Sequence, residues 1–243
     1  MENKISVAMA TYNGEKYIKE QIDSILSNLG KDDELVISDD GSSDKTLEII
    51  KSINDKRINL LKGPKKGIKQ NFANAIKNTN GDIIFLSDQD DIWECDKVSK
   101  VMKMFNDNEK VTLVMHNAKI VNDNLETIEP YSTFEWRNSR TGIFKNILKN
   151  SYIGCCMAFR KEIKEMILPI PNNIYMHDQW IGLISETYGK NVFIDDKLIC
   201  YRRHENNNSE LTHSSFGKML KNRIDIICEL NKRKNARRKI EKC

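Results

Sequence analysis

No run of about 18 consecutive apolar residues occurs in this 243-residue chain, which argues against a membrane-spanning helix. Nor is there a signal peptide's apolar stretch, since Met1-Glu2-Asn3-Lys4 leads straight into a short strand-like segment. The six cysteines (Cys95, Cys155, Cys156, Cys200, Cys228, Cys243) include no C-x-x-C pair and no spacing of a disulfide scaffold. Adjacent Cys155 and Cys156, inside the apolar segment 153–159, read as small hydrophobes. The compartment expected from these absences is the reducing cytoplasm. Two nucleotide fingerprints are also missing: there is no G-x-G-x-x-G and no G-x-x-x-x-G-K-[ST], so neither the dinucleotide motif nor the P-loop is available.

What is present fits one α/β domain with an appendage, or at most two small domains, and is large enough to bury a core. Hydrophobic residues make up 39% and charged residues 30%, so the chain is globular with a polar surface. The net charge of +4 is unevenly spread. Residues 216–243 hold ten Lys/Arg against three acids, a net +7, which leaves −3 on residues 1–215.

In chain order, apolar runs of strand length alternate with helical periodicity. Residues 5–10 predict a first strand ending in Thr11-Tyr12-Asn13-Gly14, where Asn-Gly signals a turn. Apolar positions 17, 18, 22, 25, 26 and 29 follow a helical period. Residues 35–37 predict a second strand, a helix carries Leu47, Ile49, Ile50 and Ile53, and residues 58–61 predict a third strand. A Gly-Pro loop at 63–67, a helix over 70–77 and a strand over 83–86 follow. This alternation predicts βαβ units and a parallel sheet. A further strand is expected at 111–115 and a small-residue strand at 154–159, near the acids that end the fourth strand. Residues 126–140 are polar with scattered aromatics and read as a mobile loop over the cleft or part of an acceptor pocket.

The chemistry concentrates where strands end. Ile83-Ile84-Phe85-Leu86-Ser87 runs into Asp88-Gln89-Asp90-Asp91, three carboxylates within four positions. Carboxylates so close repel one another, and burying them unpaired is costly. A divalent cation relieves both problems, because Mg²⁺ and Mn²⁺ prefer oxygen ligands and share them with phosphate oxygens. A solvated acidic loop is the bland alternative. The second strand ends in Asp39-Asp40-Gly41-Ser42-Ser43-Asp44. Helix capping accounts for Ser43 or Asp44. Asp39 and Asp40 remain, where a carboxylate can accept from a base N–H or a ribose hydroxyl.

Together, Ala10-Thr11-Tyr12-Asn13-Gly14, Asp39-Asp40-Gly41-Ser42-Ser43-Asp44 and Asp88-Gln89-Asp90-Asp91 resemble the inverting glycosyltransferases of family 2 with the GT-A fold. Met176-His177-Asp178-Gln179-Trp180 and Tyr201-Arg202-Arg203-His204-Glu205-Asn206-Asn207 resemble its bacterial rhamnosyltransferase-like branch. The resemblance covers roughly residues 5–208 and implies a Rossmann-like, mostly parallel sheet flanked by helices. It also implies a nucleotide-diphospho-sugar donor, Mn²⁺ or Mg²⁺, and inversion at the anomeric carbon. By it, Thr11, Tyr12 and Asn13 line the nucleotide, and Asp39 with Asp40 reads base and ribose. Asp88 and Asp90 form the metal–diphosphate motif, Asp91 neighbours the donor sugar, and His204 adds a metal or diphosphate contact. Asp178 matches the catalytic base, preceded by His177 where many relatives have Glu. Its other role would be an N-cap acid. Trp180 is a candidate for stacking on the acceptor, against the commoner fate of core packing.

The implied organisation is a glycosyltransferase domain over 1–208, with a donor half (1–115) and an acceptor and base half (116–208), then a linker and basic helix over 209–243. The acceptor expected is a glycan or lipid-linked oligosaccharide of a cell-surface polysaccharide, and rhamnose is the sugar that the branch suggests. Two alternatives stand beside this reading. A sugar-phosphate nucleotidyltransferase would want a Gly-rich, Arg-containing loop after the first strand, where this chain has Thr11 to Glu15. A catalytically silent relative would serve as a binding subunit. The tail's apolar positions 216, 219, 220, 224, 226, 227 and 230, followed by the basic block 232–239, predict an amphipathic helix. It either meets the inner membrane face or packs on the body. Nucleic acid is not an expected partner, since no aromatic interleaving accompanies the charge.

Overall fold

In a computed structural model, which describes residues 3–204 and 216–240, the chain folds around a mixed sheet. The elements are β1 (Ile5–Thr11), α1 (Ile18–Leu26), β2 (Glu34–Asp39), α2 (Thr46–Ser52), β3 (Ile58–Lys62), α3 (Ile68–Lys77) and β4 (Ile83–Ser87). There follow β5 (Ile92–Trp93), α4 (Lys97–Asp107), β6 (Val111–Val121), β7 (Thr127–Ser132), α5 (Thr133–Arg137) and α6 (Ile143–Leu148). A 3₁₀ turn at Gly154–Cys156 leads into β8 (Met157–Arg160), then α7 (Lys164–Ile167), α8 (His177–Tyr188), β9 (Lys190–Arg202) and α9 (Phe216–Ile240).

The sheet runs β3-β2-β1-β4-β8-β6-β9-β5, with β7 on the outside of β6. The expected parallel, βαβ-built half is β3-β2-β1-β4. Every residue of β1 and β4 is buried, as helices on both faces require of such strands. The remainder departs from a mostly parallel sheet. β8 is antiparallel to both β4 and β6, whereas β6 and β9 pair parallel through several register shifts. The reversal has a consequence for the site. Because Phe85 of β4 pairs with Ala158 of β8, the turn that precedes β8 lies beside the acids that follow β4.

Segment 126–140, expected as a loop, instead forms β7 and α5. The Ser132 hydroxyl caps α5 by accepting from Glu135 N, and the buried Asn117 side chain of β6 accepts from Phe134 N. β9 went unread in the sequence because its middle, Asp195-Asp196-Lys197, breaks the apolar pattern.

Two side chains tie strand ends together. Asn71, buried within α3, donates to Thr11 O and Ser38 O (3.1 and 2.8 Å), holding the ends of β1 and β2 side by side. Arg202, at the end of β9, donates to Asp90 O, Asp123 O and the Glu20 carboxylate, while its own N–H donates to Asp91 Oδ1. Thus the last strand is clamped onto the loop after β4.

The C-terminal helix α9 packs on the body. Ile226 and Leu230 are buried, and Arg233 donates to Leu168 O and Pro169 O. Residues 206–215, read as a polar linker, lie outside the described residues. Among those described, no helix is long and apolar enough to cross a membrane.

Candidate functional site

The carboxyl ends of β1, β2 and β4 open onto one cleft of about 1310 Å³, closed on the far side by α5, the 3₁₀ turn and the head of α8. Thr11, Tyr12, Asn13, Asp40, Asp88, Asp90, Asp178 and His204 all line it. Residues separated by more than 160 positions in the chain therefore face one volume.

On the β1 side the wall is braced by Gln89. Its Oε1 accepts from Thr11 Oγ1 and Tyr12 N (2.6 and 2.9 Å), and its Nε2 donates to Tyr12 O. Asn13 adopts a left-handed backbone (φ 49°), its N–H donating to Ser42 Oγ and its Oδ1 accepting from Ser43 N. A side chain at Gly14 would collide with Gln89, 2.5 Å from its Oε1. Gln89 carried no signal in the sequence beyond its place within the acidic cluster.

Asp39 and Asp40 separate into different roles. Asp39 is only 4% exposed, and its carboxylate accepts from Gly41 N, Ser42 N and Ser42 Oγ. These bonds shape the turn, and of the two acids expected at the nucleotide only Asp40 lines the cleft. The Asp40 carboxylate reaches the cleft and accepts from Lys65 N and Gly67 N (2.6 and 2.8 Å).

The acids after β4 are layered by depth. Asp88 and Asp90 face the cleft, whereas Asp91 is 1% exposed and lies beneath them. Asp91, expected beside the donor sugar, does not line the cleft. Its Oδ1 is held by Arg202 N and its Oδ2 has no hydrogen-bond partner among the described residues. Asp88, Asp91 and the Cys155 thiol approach within 4.8 Å of one another. Burial first, and then Asp90, pushes Asp88 up to about 7. Asp91 is driven well above the carboxylate range by the same two causes. Below them Lys97 is fully buried, donates to Cys155 O (3.0 Å) and lies 3.7 Å from the Trp93 ring centroid; burial brings its pKa down to about 8. His204 Nε2 meets Asp90 Oδ2 at 2.9 Å, and its ring stacks on Tyr17.

These residues fit a hard divalent cation. Crowded carboxylates are poor as an isolated cluster and good as a ligand set, and the Asp91 Oδ2, without a hydrogen-bond partner among the described residues, is one more oxygen in the cluster. Asp88 and Asp90 are the two carboxylates of this cluster on the cleft wall, and the His204 imidazole lies beside Asp90. The hydrogen bond with the Cys156 side chain, and then burial, raise the Cys155 thiol well above its ordinary range, which leaves it a poor ligand.

Across the cleft, Asp178 sits in the first turn of α8. Its Oδ1 accepts from Asn150 Nδ2 (3.2 Å) and Gln179 N (2.5 Å). Burial pushes its pKa up to about 6 against the opposing influence of Arg137 and these hydrogen bonds. His177, next to it, also lines the cleft, is stacked on Phe72 (centroids 4.0 Å apart), and has no partner for either ring nitrogen among the described residues. Burial, then Lys69, lowers its pKa to about 3, so the ring is neutral. Gly154 makes room for it, since a Cβ there would lie 2.9 Å from His177 Nε2.

Trp180 is not an acceptor platform. It is fully buried, its indole N–H donates to Ile167 O (2.8 Å), and no face reaches the cleft. The aromatics that do line the cleft are Tyr12, Tyr17, Trp136, Tyr152, Tyr175 and Tyr201. Arg137, also on its wall, comes from segment 126–140, which was expected near the cleft without any one residue singled out, and Asn150 beyond it had no signal in the sequence.

The model of the family described as Glycosyl transferase family 2 matches residues 6–167. The dTDP-rhamnosyl transferase RfbG of Shigella flexneri is 33% identical over 218 residues, covering 82% of this chain and 72% of that protein. Among solved structures, S. aureus TarS 1–349 in complex with UDP-GlcNAc superposes with a TM-score of 0.70 at 19% identity, over 93% of this chain and 66% of that one. The mannosyltransferase PcManGT of Pyrobaculum calidifontis, in complex with GDP-Man and Mn2+, gives 0.62 at 18% identity, over 85% and 59%. The chain thus spans between about three fifths and three quarters of these proteins' lengths. The fold is a GT-A-like α/β fold with a mixed sheet flanked by helices.

Proposed function

The chain belongs to glycosyl transferase family 2, and from that premise we propose that it moves a sugar from a nucleotide-diphospho-sugar to an acceptor hydroxyl, with inversion. Membership sets the nucleotidyltransferase alternative aside. The observation that carries the reading is that Asp178, its pKa pushed up to about 6, faces the same cleft as Asp88, Asp90 and His204.

In this reading residues 1–115 bind the donor. Thr11, Tyr12, Asn13 and Asp40 line its nucleotide, with the Asn13 turn held by Ser42 and Ser43. Residues 116–208 supply the acceptor side and the base. The acceptor oxygen attacks the anomeric carbon, Asp178 takes the hydroxyl proton, and the bond from that carbon to the phosphate oxygen breaks, releasing the nucleoside diphosphate. An alcohol is a weak nucleophile, so a positioned base is worth about 10²–10⁴-fold. Asp88, Asp90 and His204 would hold Mn²⁺ or Mg²⁺, which when bound offsets charge on the departing diphosphate. His177, neutral and open at both nitrogens, offers one donor and one acceptor to sugar hydroxyls. Rhamnose is favoured as the sugar because RfbG, by its name, is a dTDP-rhamnosyl transferase. The product would be a cell-surface glycan or its lipid-linked precursor, made at the cytoplasmic side.

The test is to incubate the protein with dTDP-rhamnose and a panel of UDP- and GDP-sugars, Mn²⁺ and lipid-linked acceptors, measuring nucleotide release and the anomeric configuration of the product. Release from no donor, or a product of retained configuration, overturns the reading. A pH profile tests the base. Because Asp178 must be ionised to accept the proton and its pKa is about 6, kcat falls about tenfold per pH unit below that point and levels off above it. A profile flat through pH 6 would remove Asp178 from the role.

A further inference from the structure

Two exposed apolar stripes meet on the outside of α6 and α9. On α6, Phe144 is 85% and Leu148 63% exposed, four positions apart and hence on one face. On α9, Leu220, Ile224 (52%) and Ile227 repeat at helical spacing, flanking the side that buries Ile226 and Leu230. The helices abut there, since the Arg223 guanidinium donates to Leu148 O at 2.8 Å. Scattered exposed apolar residues are ordinary, but five large ones on two touching helices mark an interaction face.

The surrounding charge says what it meets. Segments 140–149 and 216–224 carry Arg140, Lys145, Lys149, Lys218, Lys221 and Arg223 and no acid. Arg140, Lys145, Lys149, Lys218 and Lys221 are exposed. Asp225, between Ile224 and Ile227, is the one acid within the stripe's span, so six cations stand against it. An apolar stripe in a predominantly cationic border complements a surface that is apolar inside and anionic at its rim. A second copy of this chain would bring the same positive charge to the contact and be repelled.

We propose that the α6–α9 face docks on an anionic lipid bilayer, with Phe144, Leu148 and Ile224 entering the headgroup–acyl boundary and the lysines meeting lipid phosphates. The face is wired to the cleft: Asn146 O in α6 accepts from Gln179 Nε2 (2.7 Å), and Asn150, just beyond α6, donates to Asp178. If the transfer proposed above holds, an acceptor anchored in that bilayer enters from the side where Asp178 lies.

The experiment is co-sedimentation of the full chain with vesicles of phosphatidylcholine alone or with about one third phosphatidylglycerol, without donor or acceptor, so its failure would leave the proposed transfer standing. Wild type binds the anionic vesicles and releases at high salt. Phe144→Ser/Leu148→Ser/Ile224→Ser and, separately, Lys145→Glu/Lys221→Glu each weaken binding by about tenfold or more, with donor hydrolysis unchanged. The charge-reversal pair changes only exposed side chains, so it decides the matter should the apolar triple fail to fold. Absence of wild-type binding, or binding at the wild-type level by both variants, overturns the proposal. So does a wild-type dimer in sedimentation that the triple variant converts to monomer, because a second copy would then own the face.

Discussion

Asp178→Asn lowers kcat by about 10²-fold or more with donor and acceptor saturating, and leaves the donor's binding constant nearly unchanged. The amide keeps the carboxylate's size, and its Oδ1 can still accept from Asn150 Nδ2 and Gln179 N, the two bonds that fix the native side chain. What it loses is the capacity to accept a proton. The fold should not register the change strongly. Loss of a charge from the head of α8 costs about 0.3–1 kcal/mol, but the burial that pushes this acid up to about 6 penalises that same charge. The limb of the pH profile near 6 should vanish with it. Near-normal turnover by the variant would mean that another group takes the proton. Asp91 is a poor replacement, since it lies beneath Asp88 and Asp90 rather than on the cleft wall.

The half of the sheet built from βαβ units was legible because each strand is a short apolar run that ends in a turn or acid. Those endings fall on one edge of a parallel sheet by geometry alone, so Thr11, Asp40, Asp88 and Asp90 had to come near one another. Depth was not legible. Whether Asp39 or Asp40 reaches the cleft depends on which carboxylate the backbone N–H groups of Gly41 and Ser42 capture. Asp91 is drawn inward by Arg202, a residue 111 positions away that binds through its own backbone N–H. Trp180 shows a similar limit. Two positions after an acid it could face the cleft or the core, and the Ile167 carbonyl that receives its indole N–H belongs to an element that had no sequence signal. The antiparallel β8 was missed as a reversal, although its closeness to the acids was read, because direction in a sheet is a property of the connections and not of the strand.

Chelation should abolish transfer, and added Mn²⁺ or Mg²⁺ should restore it. Asp90→Asn should weaken metal binding by well over tenfold, a loss expected when even a ligand's supporting residue costs about 10–100-fold. Binding of the nucleoside diphosphate should then weaken only when metal is present. His204 gives the substitution a second consequence, since its Nε2 contacts the very oxygen altered, Asp90 Oδ2. The pH dependence of metal binding has a defined sign. In the metal-free protein burial and Asp90 hold the Asp88 pKa near 7, so near neutrality part of the population carries a proton that a cation must displace. Affinity should rise with pH through that region and flatten once Asp88 is ionised without metal. Calorimetry in buffers of different ionisation enthalpy reads the released proton directly, with no turnover required. In Asp88→Asn the proton release should disappear along with most of the affinity. Full activity in excess chelator, or metal binding that releases no proton near pH 7, would take the cation away from Asp88 and Asp90 and leave the departing diphosphate to the protein's own donors.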